Sequence, residues 1–234
     1  LKPKEREIEL SRFTEPGSSF IGVADTGSWY FGTITRDAAG RPECWSGFAM
    51  MPILGSDGKP LPDKAHADAE GLDVRDGIAT ASFERNHRIT EYRLAPGTMG
   101  KPLRDLDFLV PRGELRQNRG FETVAHGPKD GPLAGARVAI AERSIDAAGN
   151  SFAAILEGPR KGVFKVARSD EFDITDGAFL PNGDLLLLER RFNMLSGVAM
   201  RLRRIAAGDI RPGAMVAGKV LFTADMACQV DNME

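Results

Sequence analysis

The chain has 234 residues, 42% hydrophobic and 27% charged, which is ordinary for a folded protein with a sizeable buried core. Its 31 basic and 33 acidic residues leave a net charge of −2, so no long-range attraction to nucleic acid or to an anionic membrane surface is expected. No apolar run approaches the roughly 20 residues that span a bilayer, so no membrane insertion is expected either. The chain opens on Leu1 rather than Met and shows no signal peptide, which points to a processed precursor or a trimmed chain.

Taken in order, "FIGVADTGSWYFGTITRD" (20–37) reads as two strands around a turn that carries Asp25. "PDKAHADAEGL" (62–72) holds one helical turn; helical periodicity is not convincing elsewhere. Three longer segments then resemble one another: 68–94, 118–156 and 173–205. Each has an opening acid among small residues (Glu70, Glu122, Asp176), then a short apolar strand, a turn with Asp-Gly or Asn-Gly, and a second strand. The second strand ends each time in Glu-Arg: Glu84-Arg85, Glu142-Arg143, Glu189-Arg190. "LPNGDLLLLE" (180–189) carries the strongest hairpin signal, Asn-Gly between apolar runs. Residues 95–117 supply a further strand and a long loop. The closing "VDNME" repeats the opening acid at Glu234, so these acids stand 52, 54 and 58 residues apart (70 to 122, 122 to 176, 176 to 234). In the first segment Asp25 takes the place of the Glu of Glu-Arg.

Copies of about 50 residues, each a small antiparallel sheet, are the signature of a β-propeller. The expected fold is all-β: residues 1–234 form a single propeller domain of four-stranded antiparallel blades, with five or six blades in the complete protein and the last copy cut off at the C-terminus. Cys44 and Cys228 fit no zinc pattern. One disulfide between early and late chain, or two separate buried thiols, are both open readings.

"SFERNHRI", "NRGFETVA", "ITDGAFLPNGDLLLLERRF" with "AMRLRRI", and "DNME" resemble the bacterial family called esterase-like activity of phytase, from about Phe20 to the C-terminus. That family usually has Glu-Gly-Leu at the opening acid; "AEGLDV" keeps it, "GFETVA" changes it to Glu-Thr-Val and "TDGAFL" to Asp-Gly-Ala. The resemblance implies a propeller-like β fold, export through a signal sequence to the periplasm or medium, and hydrolysis of phosphate esters.

In a propeller the first strand of each blade lines the central channel. Equivalent acids there repel one another unless a cation sits among them. Glu70, Glu122, Asp176, Asp231 and Glu234 are therefore the candidate metal ligands, for Ca²⁺ before Mg²⁺, since both prefer oxygen. Candidate catalytic residues are Glu84, Arg85, His87, Arg88 and Glu122, with a histidine between arginines suited to proton transfer beside an anion. Asn86, Asn118, Arg143, Arg190 and Arg191 are candidate contacts to a small anionic ester. The competing reading makes the acids and Arg85, Arg143, Arg190 and Arg191 a salt-bridge belt that fixes blade register, and His87 a turn-ordering residue. His66 and His126 read as surface residues. No GxSxG, Walker or Rossmann pattern appears. Two functions follow: a calcium-assisted phosphoric ester hydrolase, or a non-catalytic propeller that binds a ligand or partner.

Overall fold

Pro42 and Pro52 bound the longest strand of the chain, and the sequence between them is almost uncharged. That strand closes the first of four sheets. The computed structural model describes residues 9–11, 19–194, 197–228 and 230. The chain divides into two units, Leu1–Leu106 and Asp107–Glu234.

The first unit holds β1 (Glu9–Ser11), β2 (Ser19–Ala24), β3 (Ser28–Arg36) and β4 (Pro42–Pro52), paired in that order. The four-residue helix α1 (Lys64–Ala67) follows, then β5 (Ala69–Arg75), β6 (Ile78–Phe83), β7 (Arg88–Ala95) and β8 (Thr98–Leu106), again paired in order. The turn between β5 and β6 is Asp76-Gly77, with φ of 50° and 74°. Two consecutive residues in the left-handed region are what a two-residue hairpin demands, and Asp-Gly supplies them at low cost. Alternating apolar residues from the two sheets form the core: Val23, Trp29, Ala79, Ala81, Phe83 and Tyr92 are among its members. Trp29 is fully buried and meets Tyr92 edge to face at 5.2 Å. Trp45 on β4 is exposed.

The second unit holds β9 (Phe121–His126), β10 (Arg137–Ile145), β11 (Ser151–Ile155), β12 (Gly162–Val166), β13 (Asp173–Phe179), β14 (Leu185–Asn193), β15 (Gly197–Ile205), β16 (Met215–Val216) and β17 (Lys219–Asp225). Strands β9 to β12 pair consecutively, and β16 adds to β12 in parallel as a fifth member. Strands β13, β14, β15 and β17 make the other sheet. The Asn-Gly hairpin forms where the sequence predicts it, between β13 and β14, closed by Gly183 N–H donating to Leu180 O at 2.9 Å. Val138, Ile140, Ile155, Phe164, Leu185 and Leu187 belong to the core of this unit.

Four-stranded antiparallel sheets with consecutive strands side by side are the blades of a β-propeller, and the all-β expectation holds. The short α1 is the helical turn expected within residues 62–72. Both cysteines are free and exposed, so neither the disulfide nor the buried thiols of the sequence reading occurs. Among the described residues, no helix is long and apolar enough to cross a membrane.

Candidate functional site

The opening acids share a structural device. In three sheets the register between the first two strands slips at the acid. Ala69 pairs with Phe83, but the next pair is Leu72 and Ala81, so Glu70 and Gly71 share the space opposite Ser82. Thr123 pairs with Ile140 and Phe121 with Ala141, which leaves Glu122 without a place in the ladder. Ile174 pairs with Glu189 and Asp176 with Leu188, which leaves Thr175 over. A bulge of this kind bends the strand and redirects a side chain. The first bulge is fastened by Ser82, whose Oγ accepts the Gly71 N–H at 2.8 Å.

The Glu of Glu-Arg lies across from a fixed point on the inner strand. Glu84 N–H donates to Asp68 O and Glu142 N–H to Gly120 O, both at 2.8 Å, while Glu189 pairs with Ile174. The opening acid follows two residues later each time. Only in the β5–β6 pair is the facing residue itself an acid, Asp68. There one carboxylate oxygen each from Asp68, Glu70 and Glu84 lie within 4.8 Å of one another. Asp68 and Glu84 are buried and Glu70 is half-buried.

Two cations enter this cluster. Helix α1, capped by Asp63, whose side chain accepts the His66 N–H at 3.0 Å, carries Lys64 into place. Lys64 Nζ stands 2.8 Å from Asp68 Oδ1 and 2.5 Å from Asp25 Oδ2. Burial works against the Lys64 charge, but the hydrogen bonds to Asp25 and Asp68 outweigh it and raise its pKa. Arg85 Nε donates to Asp68 Oδ2 at 2.7 Å from a backbone held at φ 55°. A non-glycine residue in that region costs about 1–2 kcal/mol, and the charge-assisted bond to Asp68 offsets it. Asp25 and Asp68 thus share Lys64, and Asp68 also holds Arg85.

The turn 84–88 joins the cluster to a cavity of about 340 Å³, for which Asn86 and Arg88 supply part of the wall. Arg88 Nη2 donates to His66 O at 2.6 Å, Nη1 to Asn86 O at 3.2 Å, and its guanidinium lies 3.7 Å over the Phe83 ring. Burial lowers the Arg88 pKa, while Tyr92 and Asp105 pull it back up. Burial also pushes the Tyr92 phenol up to about 12, so it keeps its proton at neutral pH. His66, Thr90 and Tyr92 line the cavity as well. His87 is buried and is not part of that lining.

The remaining predicted residues lie elsewhere. Glu122 on β9 and Asp176 on β13 are half-buried on neighbouring inner strands of the second unit; Asp176 Oδ1 accepts the Gly177 N–H at 2.6 Å. Asn118 is exposed, at φ 52°, in the loop before β9. Arg143 Nη1 stands 3.6 Å from Asp173 Oδ2. Burial, then the nearby Asp173, raises the Glu142 pKa against the pull of Arg119, Arg190 and Arg143. Arg191 lies 4.9 Å over the Phe172 ring and donates to Asp170 O at 3.5 Å. Asp231 and Glu234 fall outside the described residues. Among the described residues the tight acidic trio is thus Asp68, Glu70 and Glu84, of which Asp68 was not singled out from sequence.

The buried Glu189 is held by arginines from the facing strand. Arg201 Nε reaches Oε2 and Arg203 Nη2 reaches Oε1, each at 2.6 Å. Adjacent residues of a strand point to opposite faces, so Glu189 does not pair with Arg190. The facing Arg201 and its second neighbour Arg203 share its side of the sheet.

Propeller blades with acids set at bulges on the inner strands define the class. The chain belongs to the phytase-like family described as esterase-like activity of phytase, whose sequence model matches residues 11–234. No curated protein matches the sequence.

Proposed function

We propose that the protein is a divalent-cation-assisted hydrolase of phosphate esters, with calcium as the expected ion and a small anionic ester as substrate. The observation that carries this reading is the turn 84–88. Glu84 and Arg85 belong to the acidic cluster, while Asn86 and Arg88 belong to the cavity wall. Recognition of a cation and of an anion thus meets on one five-residue segment. Family membership supports ester hydrolysis as the class of reaction.

The donor set suits a hard cation. Calcium bonds carboxylate oxygens at about 2.3–2.6 Å, so two oxygens on one ion stand no more than about 5 Å apart; the trio lies within 4.8 Å. Asp68, Glu70 and Glu84 would hold the ion, and Lys64 is its competitor for Asp68. Such an ion neutralises phosphate charge and acidifies bound water. In the hydrolysis, water oxygen bonds to phosphorus, the ester P–O bond breaks and the departing oxygen takes a proton. Arg88 and Asn86 donate to phosphoryl oxygens, Tyr92 adds a neutral donor, and Glu84 fixes the turn to the cluster. His87 orders the turn from within. The family resemblance favours export, to the periplasm or medium, as the setting.

A specific observation also favours the non-catalytic reading: both Asp68 oxygens already have cationic partners in Lys64 and Arg85. Hydrolysis of a phosphomonoester, a phosphodiester, inositol hexakisphosphate and a lactone, each with calcium and with chelator, separates the two. Calcium-dependent turnover of a phosphate ester is expected. An intact protein that turns over none of them, and melts at the same temperature with and without chelator, overturns the hydrolase in favour of the scaffold.

A further inference from the structure

We infer that the cavity beside the turn selects a singly charged phosphodiester with an apolar arm, and discriminates against polyanionic inositol phosphates. This deepens the reading above and rests on it for treating the cavity as the substrate site.

The charges around the wall lead to this class of ligand. Arg104 is engaged by Glu91 through two hydrogen bonds, Nε to Oε2 at 2.6 Å and Nη2 to Oε1 at 3.2 Å. Its charge is matched. Asp105 is a negative wall residue whose Oδ1 accepts the Thr90 hydroxyl at 2.6 Å. Arg88 differs from both. It bonds two backbone carbonyls and lies over the Phe83 face beside Tyr92; Asp105 acts on its charge from across the wall, but among the described residues no ion pair holds it. The wall therefore offers one guanidinium whose hydrogen bonds go to carbonyls rather than to a carboxylate, and which can meet one phosphate charge. A second ligand charge would face the exposed Asp105, which repels it at short range.

The rest of the lining points the same way. Leu54, Leu61, Leu103 and Tyr92 present apolar surface to the cavity. Inositol hexakisphosphate carries phosphate on every side and has no group to place against them. An aryl or alkyl arm of a diester does. A volume of about 340 Å³ is near the lower end for ligand clefts and suits a single phosphate with one such arm.

The test is calorimetric binding of diphenyl phosphate, dimethyl phosphate, phenyl phosphate and inositol hexakisphosphate to the whole chain, with turnover of an aryl phosphodiester and of the hexakisphosphate followed in parallel. Diphenyl phosphate is expected to bind about tenfold tighter than dimethyl phosphate, from burial of its ring on apolar wall. It should also bind tighter than phenyl phosphate and the hexakisphosphate. Arg88→Gln should weaken diphenyl phosphate binding about 10- to 100-fold. Because Arg88 also supports its own turn, Leu103→Ser at an exposed position is the second variant. It should erase most of the preference for diphenyl over dimethyl phosphate. Tighter binding of the hexakisphosphate than of diphenyl phosphate overturns the inference, as does the absence of binding by every probe. Selective diester binding without turnover upholds the inference and sinks the hydrolase. Turnover with a hexakisphosphate preference does the reverse.

Discussion

Replacing Glu189 with glutamine removes the negative charge that two buried guanidiniums share. Glu189 is 0% exposed, and Arg201 and Arg203 are 3% exposed each. Arg201 makes two bonds to the carboxylate, at 2.6 and 3.3 Å, and Arg203 one at 2.6 Å. Burial lowers the Arg203 pKa and Arg201 repels it, with Glu189 as the counterweight. Removing one partner of a buried pair costs about 3–5 kcal/mol. Here one buried carboxylate serves two cations, with the exposed Asp170 as a second partner for Arg201 at 3.1 Å, so a loss of about 3–5 kcal/mol is expected. At about 2–4 °C per kcal/mol for a chain of this size, Glu189→Gln should lower Tm by on the order of 10 °C. Equilibrium urea unfolding measures the free energy directly. A companion variant, Glu189→Met with Arg201→Met and Arg203→Leu, takes away all three charges and should be less damaging than the single change. It would not be neutral, because Arg203 Nη1 donates to Ala167 O and Ala217 O at 2.6 Å each and those carbonyls would lose a donor. A loss below about 1 kcal/mol for Glu189→Gln, or a triple variant weaker than the single one, refutes the reasoning.

Ser82→Ala leaves the buried Gly71 N–H without its side-chain acceptor. It should cost about 1–3 kcal/mol in urea unfolding and weaken any calcium binding by releasing the bulge that carries Glu70. Lys64→Met removes the cation between Asp25 and Asp68. Calcium affinity by titration calorimetry should rise by about tenfold, and an unchanged affinity would mean that lysine and ion do not compete. Glu142 has a raised pKa in the fold, so its ionised form is the disfavoured one. The penalty is absent below the ordinary glutamate value of 4.5, where folded and unfolded chains are both protonated. It develops as pH rises past that value and is complete above the folded pKa. Glu142→Gln should therefore melt higher than the natural chain at pH 7 and level with it near pH 4; a lower melting point at pH 7 contradicts the assignment.

Turn chemistry and strand composition made the fold legible. Asp76-Gly77 and Asn182-Gly183 close hairpins where their backbone freedom is needed, and the repeated Glu-Arg marks the second strand of three sheets. The pairing of charges was less legible. The competing belt reading drew its arginines from the Glu-Arg repeats, but strand residues alternate faces, so the partner of Glu189 lies on β15. The Arg-x-Arg spacing of 201 and 203 held that information. Only at 84–85, past the end of β6, does the chain leave the ladder and let Arg85 reach the same cluster as Glu84. Asp68 escaped notice because its counterparts across the repeat are Gly120 and Ile174, so repetition gave no reason to choose it. It emerges only from the cross-strand hydrogen bond to Glu84.

The bulge has a consequence for how such a fold can change. A residue in a regular ladder is tied to its partners, and altering it disturbs the sheet. In the β5–β6 and β9–β10 sheets the bulged acid stands outside the ladder and the residue two before it is tied through its carbonyl, so their side chains can be rewritten one blade at a time. The β9–β10 sheet already carries Glu122 and Glu142 in the places of Glu70 and Glu84, with Gly120 where the trio has Asp68. A single Gly120→Asp exchange would supply the third carboxylate. Each such sheet is in this sense a socket, and among the described residues the β5–β6 sheet carries all three carboxylates.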